Sequence, residues 1–192
     1  RAALGLPPAG PLLVTTGRLV ERKGAAWFAA EVLPLLPPAV TFAVVGEGPE
    51  APRLRAIASR EPRLRLLGPL PPGRLDALYA CADLFVAPNV PVPGRPEGFG
   101  IAPAEAAAAG LPVLVAALEG LVDMARLCGA RLVPPAEAAA WARAVAEELA
   151  APPRPRPRVR SWADVAADYA RLFDAVAAEW RREAPRASQP AP

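Results

Sequence analysis

Short apolar runs alternate with longer stretches of helical period along most of this chain. The runs Leu12–Thr16, Val40–Val45, Arg63–Leu67, Leu84–Ala87, Val113–Ala116 and Arg131–Val133 predict six strands. Between and after them, Ala25–Leu36, Ala51–Ser59, Arg74–Ala80, Ile101–Ala109, Leu121–Leu127 and Ala136–Ala150 predict six helices. Most of the strands are apolar throughout rather than alternating. That pattern suits a parallel sheet covered on both faces. Repeated strand–helix units imply right-handed crossovers, so the expected fold class is α/β, a doubly wound parallel sheet. In such a sheet ligands bind beyond the carboxyl ends of the strands.

The pattern breaks at "APPRPRPRVR", residues 151–160. Alternating proline forbids helix and favours an extended linker. It reads as a surface connector, with a basic docking segment as the alternative. A final amphipathic helix is expected over residues 161–183, followed by a disordered tail over 184–192. Ser161 and Asp164 resemble a capping box, with Asp in place of the usual Glu or Gln. Trp162, Val165, Ala166, Tyr169, Leu172, Phe173, Val176 and Trp180 recur at helical spacing. This broad apolar face is expected to pack only partly on the domain, leaving the part meant for a missing domain exposed, most of all toward Trp180, and so to make this chain self-associate. The alternative is a helix that completes the core of the domain.

Composition narrows the function classes. With 192 residues, 53% hydrophobic and 21% charged, the chain is globular with ample core material. A net charge of +3 comes from scattered arginines, without the concentrated basic face of a nucleic-acid binder. No apolar run is long enough to span a membrane. Histidine is absent, which removes the commonest metal ligand and general base. Cys81 and Cys128 are expected to be buried free thiols, which suits a reducing compartment and therefore the cytoplasm. The only methionine is Met124, so the chain reads as part of a longer protein.

Two stretches carry candidate chemistry. "GRLVERKG", Gly17 to Gly24, follows the first strand and holds Arg18, Arg22 and Lys23, the only lysine among 22 basic residues. Arginine can fork across two phosphate oxygens, while lysine places a compact point charge where a guanidinium would not fit. A charged surface loop is the plain alternative. "PEGFGIAPAEAAAAGLPV", Pro96 to Val113, places Gly98, Phe99 and Gly100 before a helix starting at Ile101. Unpaired amides at a helix start bind anions. Glu97 and Glu105 bracket that anion site, where carboxylates suit hydroxyls rather than phosphate. A diphosphate with hydroxyls on both sides is a nucleotide sugar. The alternative is a helix whose glutamates merely favour its dipole. Gly46, in the strand-ending turn "VVGEGPE", is a further candidate for the same ligand edge.

Taken together, these residues resemble the C-terminal, donor-binding domain of a GT-B glycosyltransferase, specifically glycosyltransferase family 4. The resemblance runs from "LGLPPAGPLLVTTGRLVERKG" to the final helix. Its most specific element is the paired-glutamate motif "EGFGIAPAE", Glu97 to Glu105. The resemblance implies a Rossmann-like half of a GT-B fold, with residues 1–150 as the nucleotide-sugar domain. It implies a retaining hexosyl transfer that needs no metal or other cofactor. Arg18 and Lys23 would contact the donor diphosphate and Glu105 the ribose hydroxyls. Glu97 and the amides of Gly98, Phe99 and Gly100 would hold the sugar, with Gly17, Gly46 and Ile101 completing the donor site. The acceptor would be held by an N-terminal domain that this chain lacks, so alone it should bind nucleotide and transfer little. In the complete protein a peripheral place at the inner membrane face is also compatible. A sugar phosphorylase of the same architecture, or a non-catalytic nucleotide-sugar-binding subunit, are the alternatives. The chain departs from many members at "LEGLVD", Leu118 to Asp123, which keeps only Gly120 of a Gly-Gly pair, and its "PNVPVPGRPEGFG" loop is longer than the shortest versions.

Overall fold

The computed structural model describes residues 1–95, 98–152 and 161–183. The chain forms two compact units, Arg1–Val159 and Arg160–Pro192.

The first unit is built on six parallel strands: β1 (Leu12–Thr16), β2 (Thr41–Val45), β3 (Leu64–Gly68), β4 (Leu84–Ala87), β5 (Val113–Ala116) and β6 (Arg131–Val133). They lie in the order β3-β2-β1-β4-β5-β6. The winding direction therefore reverses between β1 and β4, where Val14 pairs with Ala43 on one side and Phe85 on the other. A crevice opens at the carboxyl edge of such a switch point. β1, β2, β4 and β5 are almost wholly buried, which is why their sequences are continuously apolar.

The helices are α1 (Ala25–Trp27), α2 (Ala51–Ala58), α3 (Pro72–Cys81), α4 (Ile101–Ala108), α5 (Glu119–Cys128) and α6 (Ala138–Ala150). α4 and α5 pack together on one side, against β4 and β5. The helical segment beginning with α1 packs with α2 and α6. Trp141 of α6 is fully buried there. Its ring stands edge-on to Phe28 at 5.8 Å and Trp27 at 6.4 Å, and its Nε1 donates to the Pro134 carbonyl at 3.0 Å.

The structure adjusts several expected elements. The first helix keeps α geometry only over Ala25–Trp27, then continues as a π turn, Phe28–Val32, and a 3-10 turn, Leu33–Leu35. Pro34 has no N–H, and its ring clashes with a regular preceding turn. Changing the turn width accommodates it. The sixth helix starts at Ala138 rather than Ala136, because Ala136 takes φ +56°, a left-handed conformation no α-helix contains. The third begins two residues early at Pro72, since proline suits a first helical turn. Cys81 is half-buried rather than buried, and its Sγ donates to the Leu78 carbonyl at 3.4 Å. Cys128 is buried, which raises its thiol pKa.

The second unit contains α7 (Trp162–Glu183). Its capping box is formed. The Ser161 amide donates to Asp164 Oδ2 at 2.9 Å, and the Asp164 amide donates to Ser161 Oγ at 3.1 Å. The apolar face is exposed, Trp162 at 89% and Trp180 at 71%. The expected linker, residues 151–160, lies outside the described residues from 153 onward, and the expected tail, 184–192, lies wholly outside them.

Candidate functional site

The segment after β1 is held by the two loops that flank it. The Gly17 amide donates to Val45 O at 3.0 Å and the Leu19 amide to Glu47 O at 2.8 Å. On the opposite side the Val90 amide, beyond β4, donates to Arg22 O at 3.1 Å. Glu21–Lys23 form a 3-10 turn closed by Gly24 at φ +69°. The approaches are close. A Cβ on Gly46 would lie 1.9 Å from Gly17 O, and one on Gly24 would lie 1.8 Å from Pro88 O. Backbone hydrogen bonds and glycine contacts together wedge this segment between the loops following β2 and β4. That rigidity fixes where its cations stand.

The cations line an open cleft at the switch point. One wall carries Gly17, Arg18 and Lys23; the other carries Gly100, Ala102 and Pro103 at the start of α4. Residues 17–23 and 100–103, distant in sequence, therefore face one space. Arg18 is exposed and Lys23 half-buried, in keeping with a fork at the rim and a point charge deeper in the site. Gly100 caps α4 at φ +81° with no side-chain cap. A helix start leaves its first amides without intrahelical acceptors, and Pro103 contributes none. The amides of Ile101 and Ala102 thus lie at the helix start without intrahelical acceptors.

Among the described residues, the other expected site residues do not line this cleft. Gly98 and Phe99 are exposed on the loop before α4, and Ile101 is 71% exposed in its first turn. Glu105 is exposed in the second turn of α4. Gly46 stands behind Gly17 and supports the loop from the β2 side. Glu97 lies outside the described residues. "LEGLVD" forms the entry and first half of α5, and Leu121 lies under Gly100 in the cleft wall.

Three polar residues went unrecognised in the sequence. Thr15 and Thr16 line the cleft from the end of β1, and Asn89, 2% exposed, lines it just beyond β4. Their position at strand carboxyl ends is the signal that could have found them. Thr16 Oγ1 and the hydroxyl of Tyr79 in α3 share a hydrogen bond of 2.9 Å. Burial raises the pKa of Tyr79; the Thr16 bond opposes that, and the charges of Glu105 and Asp76 add to it. Tyr79 thus ties α3 to the end of β1. Among the described residues no group of three or more His, Cys, Asp or Glu side chains could hold a metal ion. No described helix is long and apolar enough to cross a membrane.

Comparisons with known proteins converge on one family. Residues 10–150 match the family described as Glycosyl transferases group 1. A D-inositol 3-phosphate glycosyltransferase of Corynebacterium glutamicum is 31% identical over 93% of this chain and 47% of its own length. One of the same name from Mycobacterium bovis is 35% identical over 95% and 39%. The chain thus spans less than half the length of these curated relatives. Among solved structures, sucrose-phosphate synthase of Thermosynechococcus elongatus superposes with a TM-score of 0.73 at 26% identity, over 93% of this chain and 48% of that one. HepE of Anabaena, in complex with UDP-glucose, superposes with a TM-score of 0.61 at 25% identity, over 72% and 38%.

Proposed function

We propose that this chain, which belongs to the family Glycosyl transferases group 1, is the donor-binding half of a retaining, metal-independent glycosyltransferase of family 4. The complete enzyme moves a hexosyl group from a nucleoside diphosphate to an acceptor held by a second domain. The observation that carries this reading is the convergence of Arg18 and Lys23 with the uncapped start of α4 on one cleft. Sugar transfer leaves charge on the departing diphosphate. Groups that bind that charge more strongly as it develops lower the barrier. Arg18, Lys23 and the amides of α4 do so without a metal. Glu105 takes the ribose hydroxyls, and Glu97 with the loop Gly98–Gly100 takes the sugar. The UDP-glucose complex of HepE makes a uridine diphosphate sugar the first donor to test.

Calorimetry on the chain is expected to show UDP binding that persists in excess chelator. Loss of binding on chelation would overturn the metal-independent reading. In the complete enzyme, the product from an α-linked donor is expected to carry an α linkage by NMR. Sugar release that requires inorganic phosphate would instead identify a phosphorylase.

The two glutamates are expected to separate by ligand. Glu105→Gln should weaken UDP affinity by roughly 10-fold, the scale of one charged hydrogen bond. Glu97→Gln should leave UDP affinity unchanged and slow transfer. Titrating each variant with UDP and with the UDP-sugar checks this; equal losses toward UDP would contradict the assignment.

A further inference from the structure

The polar residues at the strand ends of the cleft are not equivalent. Thr15 and Asn89 are buried, whereas Thr16 is half-buried at the carboxyl end of β1. Of the described uncharged polar side chains that line the cleft, Thr16 is therefore the most open to it. Its hydroxyl is also held. Thr16 Oγ1 lies 2.9 Å from the Tyr79 hydroxyl. Tyr79 is itself buried, its ring edge-on to Phe85 of β4 with centroids 6.1 Å apart. A ring so confined fixes where its hydroxyl lies, and so which way the Thr16 hydroxyl turns.

The backbone beside Thr16 has little left to give a ligand. The amides of Gly17, Leu19, Val20, Lys23 and Gly24 donate to the carbonyls of Val45, Glu47, Arg18, Val20 and Glu21 respectively. This wall of the cleft therefore meets a ligand chiefly through side chains: Arg18, Lys23 and Thr16. We propose that Thr16 is a further diphosphate-binding residue of this wall, its hydroxyl donating to a phosphate oxygen, and that Tyr79 is the positioning residue that aims it. The proposal rests on the donor-site reading above and adds a neutral donor to its two cations.

Proton accounting gives the pair its direction. Two hydroxyls own two protons and several lone pairs. One proton spans the bond between them; the other leaves from whichever oxygen accepts. If Tyr79 donates, the Thr16 proton is released toward the cleft. If Thr16 donates, its proton is consumed, and it meets an anion with lone pairs alone. A phosphate oxygen in the cleft selects the first arrangement, Tyr79 to Thr16 to phosphate, in which each bond polarises the next. Burial raises the pKa of Tyr79, so the phenol retains the proton this requires. Arg18 and Lys23 supply charge. The hydroxyl bond, short and directional, fixes the orientation of the phosphate they attract.

Calorimetry of UDP with the 192-residue chain and its variants tests this. Thr16→Val keeps the shape and loses the hydroxyl; it should weaken UDP binding roughly 10-fold, the scale of one hydrogen bond to a charged group. Thr16→Ser keeps the hydroxyl and should bind within about 2-fold of wild type. Tyr79→Phe leaves Thr16 unaimed and should weaken binding about 3-fold. The deciding variant carries both Thr16→Val and Tyr79→Phe. Thr16→Val alone strands a buried phenol, which costs stability, whereas removing both hydroxyls strands neither. Urea denaturation should therefore show stability recovering in the double variant, while its UDP affinity stays as low as that of Thr16→Val. Should Thr16→Val not fold, the double variant makes the same comparison with wild type. Affinity that recovers together with stability overturns the proposal, reducing the pair to a structural tie. Wild-type affinity in Thr16→Val overturns it too, and leaves the donor-site reading standing. Inorganic pyrophosphate, an anion without the nucleoside, should show the same loss as UDP. A loss confined to UDP would assign Thr16 to the nucleoside and overturn the proposal. A wild-type chain that binds neither UDP nor pyrophosphate overturns the donor-site reading and the proposal together.

Discussion

Replacing Lys23 by alanine is expected to slow sugar transfer by roughly 100- to 1000-fold in the complete enzyme, the cost of removing one preorganised oxyanion donor. The backbone around it is pinned from both sides, by Leu19 to Glu47 and by Val90 to Arg22. The ammonium therefore needs little reorganisation when charge develops on the leaving diphosphate. Its half-buried setting lowers the local dielectric and strengthens the interaction. Lys23→Arg should also be impaired, because a planar fork needs room that a point charge does not. Arg18→Ala, at the exposed rim, should cost less, since water and salt screen an exposed charge. Single-turnover rates for the three variants, with UDP affinities measured alongside, check this order. Near-normal turnover in Lys23→Ala would remove Lys23 from leaving-group stabilisation.

Much of the scaffold behind this prediction was legible in the sequence. β1, β4, β5 and β6 begin and end at the expected residues; for β4 and β5 the reason is that a strand buried on both faces writes its length as an unbroken apolar run. The cleft was legible in outline, since strand–helix alternation implies a doubly wound sheet and such sheets bind at their carboxyl edge. The shape of the first helix was half-legible. The expected helix ran through Pro34 to Leu36, although a proline inside a helical pattern signals a disturbance, and the widened turn lies where Phe28 packs against Trp141.

The rest depends on contacts that no local pattern encodes. Thr16 and Tyr79 are 63 residues apart and meet only because α3 returns beside β1 and β4. Asn89 is an ordinary loop residue by composition, yet it is nearly fully buried. Leu121 sits in a helix whose pattern reads as core, but its side chain also supports Gly100 in the cleft wall. In each case the role comes from which loops the sheet order brings together.

The same distinction among glycines yields the second large effect. Gly24→Ala is expected to destabilise the domain by about 2–5 kcal/mol and to abolish measurable UDP binding. Alanine at φ +69° costs about 1–2 kcal/mol from Cβ crowding alone. Its Cβ would also lie 1.8 Å from Pro88 O and 2.8 Å from Pro88 C. Those are backbone atoms at the exit of β4, which cannot rotate away as a side chain can. Relieving the clash means moving one loop off the other, at about 1–3 kcal/mol for overpacking. The displaced turn carries Lys23, so the anion site opens with it. Gly17→Ala is the informative contrast. Gly17 also has positive φ, at 138°, but its Cβ would meet nothing within 4 Å. Stability should fall only by the conformational term, about 1–3 kcal/mol, while the methyl occupies space at the cleft that Gly17 lines. Urea denaturation should therefore rank the variants wild type, Gly17→Ala, Gly24→Ala, whereas both should lose affinity for UDP. Equal destabilisation by the two substitutions would show that the approach of Gly24 to Pro88 does not set the position of the loop.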